Sequence, residues 1–107
     1  MIRLDTFDYL VCGLKTTIRD VLERLNNDRS HVFQIVVDHE CRVMGAVTDG
    51  DVRRAMLRGV TLGECVSECM NASPIVGASG ENVANREKLR KASFLPIVDS
   101  AQRLQQI

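Results

Sequence analysis

Four residues near the middle of the chain, Thr48-Asp49-Gly50-Asp51, carry the polar groups whose types and spacing could do chemistry. At the start of a helix, free backbone N–H groups and the positive dipole end favour a phosphate, and Thr48 and Asp51 could hold a ribose there. The two aspartates could instead bind a metal ion for phosphoryl transfer, although no Lys, His or further acid nearby completes such a set. The third alternative is structural, because Asp49 or Asp51 would also cap a helix.

The flanking residues predict the elements that position this stretch. Residues 43–48 alternate in the period of an extended chain, with one small residue on each face. After Asp51, apolar residues recur at Val52, Ala55 and Met56 while arginines take the other side, and Gly59 ends the pattern. The sequence therefore predicts a strand, a tight polar turn and a helix, with Thr48 and Asp51 where the strand gives way to the helix.

Length and charge exclude several classes of protein. The chain has 107 residues, 14 basic and 14 acidic, with a formal net charge of zero. A chain of this length is one domain with a real core, and it is too short for a typical complete metabolic enzyme. Balanced charge gives no general attraction to nucleic acid or membrane, and no apolar run could span a bilayer. Because residues 1–5 do not resemble a secretory signal, we expect a cytoplasmic protein.

The four cysteines and two histidines do not predict a metal site. Cys12, Cys41, Cys65 and Cys69 lack the CxxC spacing of zinc ligands, so we interpret them as buried or idle thiols. His31 and His39 could join Cys41, but no fourth ligand stands at a suitable spacing, and a solvated turn explains His39 and Cys41 better.

Three further elements are predicted in the first part of the chain. Thr17, followed three residues later by Asp20 and by a periodic apolar stripe, opens a helix that ends within residues 26–30. Residues 32–37 are rich in β-branched side chains and form a buried strand, which residues 38–42 join to the next strand as a hairpin. Thr61 and Glu64 have capping-box spacing, and an i, i+3, i+4, i+7 stripe then predicts a second short helix over residues 62–69.

After residue 73 the pattern begins again. A short apolar run at residues 74–77 and a helix over residues 79–92 precede Phe94-Leu95-Pro96-Ile97-Val98-Asp99, which parallels Phe33-Gln34-Ile35-Val36-Val37-Asp38. This is an internal repeat of about sixty residues. The second copy has no counterpart of Thr48 or Asp51, so we expect at most one complete site.

The order of these features resembles a tandem pair of cystathionine-β-synthase-type (CBS) domains, known as a Bateman module. The motif Gly45-x-x-Thr48-x-x-Asp51 follows a hairpin strand, Pro74 lies in the linker, and Leu95-Pro96-Ile97-Val98-Asp99 marks the second copy. The resemblance implies an α/β (α+β) fold of two βαββα-like repeats packed about a pseudo-two-fold axis. The first repeat would span residues 1–70, and the second, truncated repeat residues 71–107.

The sequence of residues 48–55 is similar to that of modules fused to sugar-phosphate enzymes; it reads Thr48-Asp49-Gly50-Asp51-Val52-Arg53-Arg54-Ala55. Such hosts include sugar-1-phosphate nucleotidyltransferases, which carry the pair at the N-terminus, and arabinose-5-phosphate isomerases, which carry it at the C-terminus. Because the chain opens with Met1 and stops within the second repeat, we expect the nucleotidyltransferase type.

The resemblance also implies a function without catalysis. Such modules regulate an attached enzyme and bind adenosine-containing ligands, such as AMP, in the cleft between the repeats. Asp51 would accept from ribose hydroxyls and Thr48 would bind ribose or phosphate, while Arg53 or Arg54 could reach a phosphate unless they only form a solvated helix face. The remaining predicted contacts are apolar: Val47, Ile75, Phe94, Leu95 and Pro96. We also expect a homodimer, and the alternative function is a structural dimerisation module with no ligand.

Overall fold

The computed structural model describes residues 8–28 and 31–107. The predictions that rest on residues 1–7, and on residues 29 and 30 at the end of the first helix, lie outside the described residues. No helix in the described part of the chain is long and apolar enough to cross a membrane.

Two three-stranded sheets, one in each repeat, form the framework. The first repeat contains β1 (Val11–Gly13), α1 (Ile18–Asn27), β2 (Phe33–Val37), β3 (Val43–Thr48) and α2 (Asp49–Leu57), and the second contains β4 (Gly77–Ala78), α3 (Asn82–Leu89), β5 (Ile97–Val98) and β6 (Leu104–Gln106). The sheet orders are β1-β2-β3 and β4-β5-β6, each with one parallel and one antiparallel pair. The predicted internal repeat and the predicted hairpin are therefore confirmed, whereas the exact boundary at residue 70 stays a prediction.

The hairpin loops of the two repeats are built in the same way. Asp38 Oδ1 accepts hydrogen bonds from two loop N–H groups, including that of Arg42, and Asp38 Oδ2 accepts from Arg42 Nε at 2.8 Å. Asp99 makes the corresponding bonds, with Arg103 Nε at 3.2 Å. Neither loop contains a glycine, and the left-handed position is taken by Cys41 (φ 65°) and Gln102 (φ 66°). The two repeats therefore share the same left-handed backbone conformation in their hairpin loops, which the sequence did not indicate.

The first helix forms as predicted. Thr17 is its N-cap, and the Thr17 side chain accepts from the Asp20 backbone N–H at 3.2 Å. Ile18 and Val21 are buried on the face that packs toward the sheet. The capping residue and the apolar stripe together fix where α1 begins and which side it buries.

The predicted helix over residues 62–69 is wrong, because only a short 3₁₀ turn forms there, at Val66–Glu68. The carbonyl of Glu64 accepts from the Ile18 N–H at 2.9 Å, and that of Leu62 accepts from the Arg19 N–H at 3.0 Å. The carbonyls of Leu62 and Glu64 thus bind free N–H groups at the start of α1 instead of N–H groups one helical turn further along their own segment. Val66 and Cys69 are nevertheless buried, so the apolar stripe identified the buried side chains correctly.

Elements of the second repeat are shorter than predicted. The helix spans Asn82–Leu89 rather than residues 79–92, since Gly80 adopts a positive φ of 83° just before it. The strand predicted over residues 94–99 is reduced to Ile97–Val98. Pro96 cannot donate to a ladder, although its carbonyl accepts from the Gly77 N–H at 2.8 Å.

The buried side chains form two cores. The helix-side core lies between α1, α2 and the first sheet and contains Cys12, Ile18, Val21, Val36, Val47, Val52, Ala55, Val66 and Cys69. The inter-repeat core joins the two repeats and contains Leu10, Phe33, Ile35, Ala46, Leu104 and Ile107, with Phe94 packed against it. Alternate residues of β2 enter the two cores, as the period of a strand requires.

Backbone contacts reinforce the joint between the repeats. The Val43 N–H donates to the Gln102 carbonyl and the Leu104 N–H donates to the Cys41 carbonyl, both at 2.9 Å. The linker after the first repeat also pairs with β3, because Ala46 and Asn71 exchange two hydrogen bonds of 3.0 and 2.7 Å. The linker therefore runs beside β3 close to the end that carries Thr48.

Candidate functional site

The candidate site begins at Thr48, which is both the last residue of β3 and the N-cap of α2. Its backbone is extended, with φ −120° and ψ 170°. The predicted polar turn between strand and helix is wrong, because α2 starts at Asp49 with no intervening residue. A capping residue needs only β-region angles to start a helix, so a strand can end directly in one.

Thr48 and Asp51 form a complete capping box. Thr48 Oγ1 accepts from the Asp51 N–H at 3.3 Å, and Asp51 Oδ2 accepts from the Thr48 N–H at 2.9 Å. The Thr48 hydroxyl also donates to Asp51 Oδ2 at 3.0 Å. Helix capping is thus realised, although Thr48 is the cap rather than either aspartate, and it fixes the Asp51 carboxylate beside the Thr48 hydroxyl.

The second carboxylate oxygen of Asp51 binds an arginine. Arg54 Nη2 donates to Asp51 Oδ1 at 2.8 Å, and the Asp51 side chain is only 18% exposed. Arg53 instead lies 3.7 Å from Asp49, and both of these side chains are mostly exposed. Each aspartate of the Thr-Asp-Gly-Asp stretch therefore faces its own arginine, an arrangement unlike a paired-carboxylate metal site.

An aromatic pair lies next to Thr48. Phe33 is the residue of β2 directly opposite Thr48 in the antiparallel register, so the two side chains share a face of the sheet. The Phe33 ring stacks on that of Phe94, with centroids 4.1 Å apart and planes at 10°. Phe33 thereby links Thr48 of the first repeat to Phe94 of the second. Sequence reasoning missed Phe33 as a site residue, although its position matches that of Phe94 in the repeat.

The other predicted apolar contacts are distributed differently. Val47 is fully buried in the helix-side core, on the face of β3 opposite to Thr48. Leu95 is 2% exposed and lines a small cavity of about 150 Å³ beside α3. Pro96 is buried, and Ile75 in the linker is 46% exposed. Thr48 and Phe94 thus lie on the same side of the first sheet, with Asp51 hydrogen-bonded to Thr48. Val47 instead packs against the helices of the first repeat, and Leu95 packs beside α3.

A groove of about 480 Å³ also opens at the start of α2, and the sequence did not indicate it. Its lining residues are Leu22, Leu25, Asn26, Val32 and Asp49. The lining contains Asp49 but neither Thr48 nor Asp51. This groove is consequently a neighbour of the capping box and not the space in front of it.

The described residues of the candidate site contain no cluster of metal ligands. Within residues 8–28 and 31–107, no three His, Cys, Asp or Glu side chains lie close enough to hold a metal ion. All four cysteines are free. Burial raises the pKa of the Cys12 thiol to about 11 and also raises the pKa of Cys69, for which the nearby Asp51 carboxylate is a second cause.

The chain belongs to the CBS domain family, whose model matches residues 3–58. No curated protein matches its sequence. Among solved structures, CBSX2 from Arabidopsis thaliana is similar, with 26% identity and a TM-score of 0.75, covering 99% of this chain and 82% of that chain. A crystal structure of CBSX2 in complex with AMP has 25% identity and a TM-score of 0.76, covering 99% and 83%.

A more distant structure, CbpB in complex with c-di-AMP, shares the fold. Its identity is 16% and its TM-score 0.79, with 97% of this chain and 76% of that chain covered. The predicted fold class, two CBS repeats of mixed α and β structure, is confirmed by these similarities together with the two sheets described above.

Proposed function

We propose that this chain is a regulatory module that binds an adenine nucleotide between its two repeats and modulates an attached enzyme. The observation that carries the proposal is the capping box beside the aromatic pair. Thr48 and Asp51 offer polar acceptors at a helix N-terminus, and Phe94, stacked on Phe33, offers an aromatic surface from the second repeat. The structure of CBSX2 with AMP, which is similar along the whole chain, supports an adenine nucleotide as the ligand.

In this proposal each part of the nucleotide has a chemical partner. Asp51 Oδ1 accepts from a ribose hydroxyl, because Oδ2 is already occupied by two donors from Thr48. A hydrogen bond to a charged acceptor is stronger than a neutral one. The base packs on the partly exposed ring of Phe94, with Ile75 as a further apolar contact, while Val47, Leu95 and Pro96 are buried and do not touch the ligand.

Regulation would follow from the position of the ligand at the joint between the repeats. A nucleotide that touches both Thr48 and Phe94 stabilises the arrangement of repeats in which those groups are close. A ligand shifts a conformational equilibrium only by its difference in affinity for the two states. The module would thereby change the affinity of the attached enzyme for its substrate. By thermodynamic linkage, the substrate would change the affinity for the nucleotide by the same factor.

Calorimetric titration of the chain with AMP, ADP, ATP and S-adenosylmethionine tests the binding site. We expect saturable binding of at least one ligand, and we expect Asp51→Asn to weaken it by about tenfold, which corresponds to about 1.4 kcal/mol. Asp49→Asn is the matched control, because Asp49 is exposed and pairs with Arg53 at 3.7 Å rather than with Thr48 or Arg54. An equal loss in both variants, or no binding by the folded wild-type chain, would contradict the proposed site.

The attached enzyme in this proposal is a sugar-phosphate nucleotidyltransferase. The sequence of residues 48–55 supports this assignment, because it is similar to the sequence of modules found on such enzymes. In the assembled enzyme, nucleotidyl transfer to a sugar 1-phosphate should respond to AMP, and Asp51→Asn should abolish the response. A rate that AMP changes equally in wild type and variant would count against this assignment.

A homodimer is the second part of the proposal. Met56 and Leu57 on α2 are 48% and 85% exposed, and such apolar side chains favour burial against a second copy. Sedimentation at tens of micromolar should show a dimer, which Leu57→Glu should dissociate. A clean monomer for the wild-type chain would exclude this part.

A structural dimerisation module without ligand is the alternative function. It is favoured by one observation, namely that the carboxylate oxygens of Asp51 already have protein donors. This alternative predicts a dimer in sedimentation and no heat with any of the four nucleotides. The proposed function predicts binding in the same sample, so one preparation distinguishes them.

A further inference from the structure

The Asp51 carboxylate has limited capacity for a ligand in the unliganded chain. An ionised carboxylate has roughly four acceptor positions, two on each oxygen. Both positions of Oδ2 are used by the backbone N–H and the hydroxyl of Thr48, at 2.9 and 3.0 Å. Arg54 Nη2 lies on one position of Oδ1 at 2.8 Å, and no other residue in the described part of the chain donates to that oxygen. A sugar diol that needs two acceptor positions on Asp51 must therefore displace Arg54.

Arg54 is exposed enough to leave Asp51 and to bind it again. Its side chain is 65% exposed, whereas that of Asp51 is 18% exposed, so the guanidinium covers a carboxylate that is otherwise mostly shielded. It lies against the first turn of α2, where a Cβ at position 50 would come within 3.2 Å of Arg54 Nη1. The absence of a side chain at Gly50 leaves the space in which the guanidinium sits.

Arg54 that is displaced from Asp51 needs another anion. A nucleoside supplies none, so the arginine loses its partner when ribose takes its place. A nucleotide supplies a phosphate, and a guanidinium binds phosphate through two parallel hydrogen bonds. Because Arg54 sits one turn from the ribose-binding carboxylate, the exchange of partners is a short movement of one side chain.

We propose that Arg54 is the residue that makes this site select a 5′-phosphorylated nucleoside over the unphosphorylated one. In the free chain Arg54 neutralises Asp51 and obstructs its open oxygen. In the complex it moves to the phosphate and releases Asp51 to the ribose. This inference rests on the proposed function and adds to it the identity of the residue that distinguishes phosphorylated ligands.

Arg53 provides a matched control on the same helix. It has the same charge and a similar exposure of 73%, but it pairs with Asp49 at 3.7 Å and not with Asp51. Replacement of either arginine by glutamine changes the net charge equally. A difference between the two variants therefore reports the position of the guanidinium and not the general field of the helix.

The test is a comparison of AMP with adenosine by calorimetry on wild type, Arg54→Gln and Arg53→Gln. We expect wild type to prefer AMP by at least about tenfold. Arg54→Gln should weaken AMP by about tenfold and bind adenosine as well as or better than wild type, because the obstruction of Asp51 is removed. Arg53→Gln should keep the preference to within about twofold.

Three results would overturn the inference. If Arg54→Gln keeps the wild-type ratio of AMP to adenosine, Arg54 does not select phosphate. If Arg53→Gln lowers the ratio as much as Arg54→Gln, net charge is responsible and not the exchange of partners. In both cases nucleotide binding itself stands, so the proposed function survives. If the folded wild-type chain binds neither AMP nor adenosine, this inference fails, and the proposed function fails with it when ADP, ATP and S-adenosylmethionine also give no binding.

Discussion

Phe33 and Phe94 occupy the same position in the two repeats and stack on each other, with ring centroids 4.1 Å apart and planes 10° from parallel. Phe33 begins β2, the central strand of the first sheet, and Phe94 lies just before β5, the central strand of the second. The contact therefore crosses the joint between the repeats at residues that the internal repeat makes equivalent. It is also the contact through which Phe94 comes near Thr48, because Phe33 is the cross-strand neighbour of Thr48.

We expect the two rings to be energetically coupled. A double-mutant cycle with Phe33→Leu and Phe94→Leu should give a coupling energy of about 1 kcal/mol, since aromatic pairs contribute roughly this much beyond the area they bury. The measurement is the free energy of unfolding in urea for the four proteins. Phe33→Leu combined with Leu89→Ala, which lies on α3, should be additive within about 0.5 kcal/mol. Additivity for the two phenylalanines would show that the stack contributes nothing specific.

Gly45 should tolerate no side chain, because the linker approaches β3 too closely. A Cβ at this position would lie 2.7 Å from Met70 Sδ and 2.8 Å from the Asn71 carbonyl oxygen. The Met70 side chain can move, but the Asn71 backbone is held by two hydrogen bonds to Ala46. Gly45→Ala should therefore lower the free energy of unfolding by about 2 kcal/mol.

The control for this substitution is Gly63→Ala. A Cβ at Gly63 meets nothing within 4 Å, so we expect a change within about 0.5 kcal/mol. Equal stability of both variants would contradict the close approach of the linker to β3.

Acid should loosen the two hairpin loops. The backbone N–H of Arg42 donates to Asp38, and that of Arg103 donates to Asp99. These hydrogen bonds are the largest cause that holds the pKa of each carboxyl below its usual range. Unfolding removes these bonds, so the unfolded pKa is the higher one. The stability that the loops contribute is therefore complete above the unfolded value of about 4 and is lost as the pH falls through the folded value.

Thermal unfolding followed from about pH 7 to about pH 3 measures this dependence. The double variant Asp38→Asn/Asp99→Asn keeps amide oxygens as acceptors for the loop N–H groups but cannot titrate. We expect its midpoint to fall less steeply with acid than that of wild type. Parallel curves for the two proteins would mean that these carboxylates do not contribute to the acid sensitivity.

Native alkylation should separate the cysteines into two pairs. Cys12 and Cys69 are 4% and 6% exposed, whereas Cys41 and Cys65 are partly exposed. The thiolate is the reactive form, and burial raises the Cys12 pKa to about 11, so little of it is ionised near neutral pH. Iodoacetamide followed by peptide mass spectrometry should therefore modify Cys41 and Cys65 first. Modification of Cys12 at the rate of Cys41 would contradict its place in the helix-side core.

Much of the fold could be predicted because its signals are local. Thr17 caps α1 through a residue three positions away, β3 carries a clear alternation, and β2 is rich in β-branched side chains. The short 3₁₀ turn at Val66–Glu68 shows the limit of such signals. A helical stripe reports which side chains are buried, but the carbonyls of Leu62 and Glu64 bind α1, a partner that is distant in sequence.

The site divides in the same way. Thr48 and Asp51 could be named as candidates from the sequence because a capping box and a ligand site use the same residue types in the same spacing. Phe33 was missed because its role depends on register, which sets it opposite Thr48, and on the packing of the second repeat against the first. The spacing of residues also could not show that Val47 faces the helix-side core or that Arg54 rather than Arg53 binds Asp51.

The central claim is that an adenine nucleotide binds where the capping box meets the Phe33–Phe94 stack. A titration of the ¹⁵N-labelled chain with AMP, followed through its amide resonances, tests this location most directly. We predict saturable shifts concentrated at residues 48–51 and around Phe94, with little change in the hairpin loops near Arg42 and Arg103. Shifts confined to the groove of Leu22, Leu25 and Val32, or no shifts at all, would contradict the claim.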